Sequence, residues 1–224
     1  AVGQRVLTAG RRLRSQDLGL AASLGVAWVN AYRRLRVAIL STGDELVEPG
    51  DPAGPGQIFN SNRFTMSGQF AAWGFDVLDL GIARDRPDVL REKLTRAAAE
   101  ADVIVASGGV SVGEEDHVKD VVASLGSLDL WRIAIKPGKP FAFGRVADTP
   151  FIGLPGNPVS VFVTLLVVAR PYLFACQGAA DTALVPVTGT ACFSKRGTAR
   201  EDYLRVRSVP EGLELFPNQS SGVL

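Results

Sequence analysis

Residues 101–126 read ADVIVASGGVSVGEEDHVKDVVASLG. Asp102 to Ala106 has the apolar run of a buried strand, a glycine-bearing polar loop follows from Ser107, and Glu114 to Leu125 is an amphipathic helix. Val118, Val121, Val122 and Leu125 share one face of that helix, and Gly126 stands where its stop is expected. Strand, glycine loop and helix make one βα unit.

The unit recurs on both sides. Upstream, Val37 to Leu40 reads as a strand, Asn62 to Trp73 as a helix ended by Gly74, Phe75 to Ile82 as a strand, and Arg86 to Glu100 as a helix with Pro87 in its first turn. Downstream, Trp131 to Ile135 is a further strand, and Phe141 to Val146 with Pro150 to Leu154 forms a hairpin. Asn157 then caps a helix that Pro158 opens. This alternation predicts an α/β fold, a three-layer sandwich around a mostly parallel sheet.

The ends have another texture. Residues 1–35 hold a short strand and a small helix near Gln16 to Leu24, too little for a domain. After Pro171 come short alternating strands, Ala183 to Thr190, Tyr203 to Val209 and Leu213 to Phe216, which read as the start of a small β domain. The expected division is therefore 1–35, an α/β domain over 36–178, and a partial β domain over 179–224. The chain is expected to be part of a longer protein.

With 224 residues and 46% hydrophobic content, a sizeable core can be buried. Twenty-four Lys and Arg against 23 Asp and Glu leave a formal charge of +1, so no overall field recruits nucleic acid or an anionic membrane. Arg11, Arg12, Arg14, Arg33, Arg34 and Arg36 cluster without interleaved aromatics and read as a solvated or interdomain surface. Cys176 and Cys192 are expected as buried, inert thiols of a cytoplasmic protein, and with His117 alone they make no structural zinc site. No signal-type start is expected, and the apolar run from Val159 to Ala169 is expected to end at Arg170-Pro171, short of a membrane span.

Four polar loops each follow an apolar strand: STGDE (41–45), SGGVSVGEED (107–116), KPGKP (136–140) and GLPGN (153–157). In an open α/β sheet such loops converge beyond the carboxyl ends of the strands. Thr42, Gly43, Ser107, Gly108, Gly109, Val110, Ser111, Pro155, Asn157 and Pro158 are thus candidates for substrate contact, the glycine loop through free N–H groups that suit an anion. Lys136 and Lys139 flank a rigid Pro-Gly turn and would repel one another unless an anion or acid lies between them. Acids at Asp44, Glu45 and Asp116 facing such cations suit a phosphorylated substrate with Mg²⁺, which takes a few carboxylates plus phosphate oxygens. Each loop also has a bland reading: a tight turn at the glycines, a helix-dipole partner at Asp116, surface acids at Asp44 and Glu45.

STGDEL at 41–46, GGVSVGEED at 108–116, IKPGKPFAFG at 135–144 and GLPGNPVS at 153–160, in that order, resemble the molybdopterin molybdotransferase family, MoeA and the E domain of gephyrin. The resemblance covers nearly the whole chain. It implies a MogA/MoaB-like molybdopterin-binding domain in a cytoplasmic homodimer that inserts molybdate into adenylylated molybdopterin with release of AMP, and possible contact with an adenylyltransferase or apo-molybdoenzymes. By motif, Asp44 and Asp116 match the acidic pair that handles Mg²⁺ and pyrophosphate, with Glu45 beside them. Lys136 and Lys139 match the oxyanion-binding lysines, and Pro155 and Pro158 the paired prolines of the pocket. Arg205 in DYLRVR and Ser221 in NQSSGVL fall where the family has a pocket arginine and serine. Asn60 stands where many members carry an acid. The family has two further domains before this point, so residues 1–35 resemble the return segment from them, and one acidic site residue belongs upstream of Ala1.

Three alternatives share parts of the pattern. A MogA-type adenylyltransferase usually reads GGTG where this chain has GGVSVG. A non-catalytic scaffold module of the gephyrin E-domain kind would use a groove that the sequence does not display. A CinA-type nucleotide domain shares GDE but is not expected to carry KPGKP followed by GLPGNP.

Overall fold

The computed structural model describes residues 3–109 and 117–220. In chain order the elements are α1 (Ser15–Ser23), β1 (Arg36–Thr42), β2 (Leu46–Val47), β3 (Ile58–Phe59), α2 (Ser61–Trp73), β4 (Asp76–Ala83), α3 (Pro87–Glu100), β5 (Val103–Ser107), α4 (His117–Leu125), β6 (Gly126–Arg132), β7 (Ile135–Lys136), β8 (Pro140–Val146) and β9 (Thr149–Leu154). After them come α5 (Pro158–Thr164), a π-type turn (Leu165–Ala169), α6 (Arg170–Cys176), β10 (Glu201–Asp202), β11 (Val206–Val209) and β12 (Gly212–Leu215).

Six strands form one sheet in the order β4-β1-β5-β9-β8-β6. The first four run parallel, β8 runs antiparallel to β9, and β6 runs antiparallel to β8. Successive side chains of a strand face opposite ways, so a strand covered on both faces reads as an unbroken apolar run. Ala38, Leu40, Ile104, Ala106 and Phe151 pack with Leu90, Leu94 and Ala97 of α3 and Val118, Val121 and Val122 of α4. Their neighbours Val37, Ile39, Val103, Val105, Ile152 and Leu154 pack on the other face with Met66 and Phe70 of α2 and with Val161, Leu165, Ala169 and Leu173. The three layers expected from the alternation are present.

Local signals act as expected at several ends. Gly74 ends α2 at φ 85°, Asn60 and Asn157 cap α2 and α5 by accepting from Arg63 N and Ser160 N, and Pro87 and Pro158 sit in first turns. Elsewhere the structure differs. Gly126 does not close α4 in a left-handed turn but begins β6, where a Cβ would collide with the carbonyl of Arg145 on β8. The strand expected over 131–135 divides, with β6 ending at Arg132 and β7 pairing with β10. Arg170-Pro171 does not stop the last helix. The wider π-type turn precedes the proline, and α6 restarts with it in the first turn, where its missing N–H leaves no bond broken.

That continuation makes Pro158–Cys176 the one described helix long and apolar enough to cross a membrane, yet Val161, Leu165, Ala169 and Leu173 are packed on the sheet. Both cysteines are exposed, contrary to the expectation of burial. Cys176 is open on one side only: burial on the other pushes its thiol up, despite the hydrogen bond with Tyr172, so exposure does not activate it.

Residues 3–35 contain α1 but no strand, and 183–190 form no strand, touching β12 only at their end, where the Thr190 carbonyl accepts from Leu213 N–H at 2.7 Å, because alternation without a neighbouring edge forms no ladder. The N-terminal segment is nevertheless anchored. Arg33 makes a two-pronged pair with Asp102 at 2.6 and 2.5 Å, and Gln177 donates to the Arg33 carbonyl at 2.6 Å. Around α1, Arg14 N–H, the Arg14 guanidinium and Arg11 hold Asp17 down to about 2. The hydrogen bonds from these arginines outweigh the burial of Asp17, so its carboxylate keeps its charge.

Candidate functional site

Parallel β1, β5 and β9 end at one edge of the sheet, and antiparallel β8 begins there. Loops from distant parts of the chain therefore meet in one cleft of about 590 Å³, within the size range of small-molecule sites. Thr42, Gly43 and Glu45 come from the end of β1, Ser107, Gly108 and Gly109 from β5, and Pro155, Gly156, Asn157 and Pro158 from β9. Pro140 comes from the start of β8, Leu46 and Ile58 from the β2–β3 ladder, Asn62 from α2 and Asp85 from beyond β4. Three of the four expected loops line the cleft directly, and KPGKP contributes its last proline.

The glycine loop is locked from behind. Gly108 N–H donates to the Leu154 carbonyl at 3.1 Å, Ser41 and Ser107 hydroxyls meet at 3.3 Å, and Gly108 and Gly109 adopt φ of 85° and 61°. A Cβ on Gly109 would sit 2.6 Å from Thr42 Oγ1. Only glycine fits the approach.

Thr42 is 3% exposed and its hydroxyl has no hydrogen-bond partner, a state that costs about 1–3 kcal/mol. Thr42→Val keeps the shape and removes the unpaired group, so stability should rise by about 1 kcal/mol in urea denaturation while affinity for a phosphorylated ligand falls. A variant less stable than the parent would mean that the hydroxyl is satisfied.

On the acidic side, Asp44 Oδ1 accepts from Asp85 N–H at 3.2 Å, and Arg84 donates to the Asp44 carbonyl at 2.8 Å. The Asp85 carboxyl is pushed up, first by burial and then by the charges of Asp44 and Glu45. Asp44 itself is exposed and does not line the cleft, whereas Glu45 and Asp85 do. Among the described residues no group of three His, Cys, Asp or Glu could hold an ion unaided. An all-carboxylate set that repels itself nevertheless fits a hard cation completed by ligand oxygens.

Lys136 and Lys139 are exposed and lie outside the cleft lining. An acid stands beside Lys136. β7 pairs with β10, setting Asp202 opposite Lys136, and Asp202 is held below the usual carboxylate range chiefly by Lys195 and also by Lys136. Arg205 donates to the Ser220 carbonyl at 2.9 Å, away from the cleft lining. Val110, Ser111, Asp116 and Ser221 lie outside the described residues.

Asn62 and Asp85 line the cleft without having been picked out as candidates. For Asn62 a signal existed, since it stands four and eight residues before Met66 and Phe70 on the buried stripe of α2.

The profile of the family described as "Probable molybdopterin binding domain" matches residues 38–175. A molybdopterin molybdenumtransferase of Haemophilus influenzae is 47% identical over 79% of this chain and 44% of its own length. One of Nostoc is 37% identical over 80% and 42%. The chain thus spans less than half the length of these curated relatives. The crystal structure of a molybdopterin biosynthesis MoeA protein from Pyrococcus horikoshii superposes with a TM-score of 0.76 at 28% identity, covering 93% of this chain and 52% of that one. Four loops in the expected order, gathered on one cleft of a three-layer fold and matched along the α/β core, carry one conclusion: the chain belongs to the molybdopterin-binding domain family, in the MoeA and gephyrin E-domain group.

Proposed function

We propose that this chain carries the molybdopterin-binding core of a molybdopterin molybdenumtransferase, which inserts molybdate into adenylylated molybdopterin and releases AMP. The observation that supports this reading is the cleft itself, where a glycine loop, a proline-walled turn and a carboxylate face meet. Releasing AMP breaks the phosphoanhydride between the pterin phosphate and the nucleotide, with water adding across the bond, and negative charge gathers on both fragments. Lys136 and Lys139, on the turn that delivers Pro140 to the cleft, are the cations for that charge and for the molybdate oxyanion. Gly108, Gly109, Val110 and Ser111 bind the substrate through their loop, and Pro155 and Pro158 shape the wall beside it. Magnesium, held by Asp44, Glu45 and Asp116 with phosphate oxygens, would neutralise the phosphates.

The same reading assigns Arg205 and Ser221 to the pocket of the complete protein, residues 1–35 to the return from preceding domains, 36–178 to the binding domain and 179–224 to a β domain. It describes a cytoplasmic homodimer that exchanges pterin with an adenylyltransferase and with apo-molybdoenzymes. The test is AMP release by the full-length protein from adenylylated molybdopterin. Release should require both molybdate and Mg²⁺, and the double substitution Lys136→Gln with Lys139→Gln should lower turnover by about 10²-fold or more with an unchanged circular dichroism spectrum. Release that ignores molybdate, or a double variant as fast as the parent, would overturn the reading.

A further inference from the structure

Asn62 is an amide at a position where α2 otherwise buries Met66 and Phe70, and it is 8% exposed. Such a group costs stability unless both its ends are paired. One end is paired: Nδ2 donates to the Gly156 carbonyl at 2.7 Å, across to the loop after β9. The other, Oδ1, has no partner. The amide cannot be turned over, because Oδ1 would then face the Gly156 oxygen. An unpaired acceptor, covered from solvent, therefore belongs to a residue of the cleft wall that also includes the largely apolar Leu46, Ile58, Pro155 and Pro158, and a ligand reaches it by displacing what covers it.

We infer that Asn62 determines ligand specificity, its Oδ1 accepting an N–H from the exocyclic amine of a flat, fused-ring heterocycle. The chemistry of the wall selects this class. An acceptor without a donor of its own takes only N–H or O–H, and apolar walls suit the faces of a ring. A hydroxyl rotates and can pair elsewhere, whereas an arylamine presents its hydrogens in the ring plane. This inference rests on the reading of the cleft given above, whose substrate offers two such amines, one on the pterin and one on adenine.

The experiment titrates the full chain by calorimetry with two matched pairs. One is AMP against purine riboside 5′-monophosphate, and the other is pterin-6-carboxylate against its 2-deamino analogue. In the pair whose ring reaches Asn62, the parent protein should prefer the amine by about tenfold or more, since the analogue leaves Oδ1 unpaired. Asn62→Leu, or Asn62→Ala should leucine crowd the helix, should bring that preference close to one. Loss of the Gly156 bond alone would weaken both members of a pair alike and leave their ratio unchanged. The pair that loses its preference identifies the pterin or the adenine as the occupant. If the parent binds amine and analogue equally in both pairs, or the variant keeps the full preference, the role of Asn62 is refuted. If the parent binds no member of either pair, the reading of the cleft fails and this inference with it.

Discussion

Gly108→Ala should cost about 2–5 kcal/mol of stability and close the cleft at the same time. Two terms combine. The backbone there stands at φ 85°, where a side chain costs about 1–2 kcal/mol, and forcing a group into a packed site costs about 1–3 kcal/mol more. The added Cβ would run into the carbonyl of Thr42 and lie 3.1 Å from its hydroxyl. Thr42 cannot give way freely, because β1 is held between β4 and β5, with Thr42 opposite Ala83 and Ser41 opposite Ser107. Gly156 across the cleft supplies the control. Its nearest neighbour for a Cβ is Gly108 Cα at 3.8 Å, an ordinary contact, so Gly156→Ala should stay within about 0.5 kcal/mol of the parent. Urea denaturation and nucleotide titration of the two variants check both halves. A Gly108 variant that melts and binds like the parent would mean that the loop does not follow this path.

The difference between these two glycines shows what a sequence can display. GG after an apolar run announces a loop, but the space around each Cα depends on distant residues, 66 positions away for Gly108 and 48 for Gly156. The central strands were readable because burial on both faces leaves a local mark, an unbroken apolar run in β1 and β5. Gly126 was misread for the opposite reason: a glycine demanded by a neighbouring strand looks the same as one that ends a helix. Arg170-Pro171 looked like a stop because a proline removes one helical bond, and no local pattern announced the π-type turn that accommodates it. Ala183 to Thr190 alternates as a strand should, but pairing needs a partner edge, which alternation cannot supply.

The candidate site was legible where its chemistry is carried by a local motif. Asp85 was not, because it sits in a helix-leading RDRP run and acquires its character first from burial and then from Asp44 and Glu45, 41 and 40 residues earlier. Asn62 was hidden by its neighbour. Asn60 satisfies the cap, so a second asparagine in the first turn passes for surface polarity unless the spacing to Met66 and Phe70 is followed.

That spacing ties the cleft to the core, and Phe70→Ala should expose the link. Phe70 is 0% exposed, with its ring 5.9 Å from Trp73 and 6.3 Å from Phe75, and both of these also meet Phe174 of α6. Removing the ring leaves a cavity that α2 cannot fill without sliding, which costs about 3–5 kcal/mol. For a domain of this size the melting temperature should fall on the order of 10 °C. Phe64, on the outer side of the same helix, is 55% exposed beneath the Arg63 guanidinium, so Phe64→Ala should change stability by no more than about 0.5 kcal/mol. The two variants also separate rigidity from contact. Neither phenylalanine lines the cleft, yet Phe70 holds the stripe that presents Asn62, so the Phe70 variant should bind ligand more weakly even well below its melting point. Scanning calorimetry with ligand titration at low temperature checks this, and equal melting of the two variants would place Phe70 outside the core that supports the cleft.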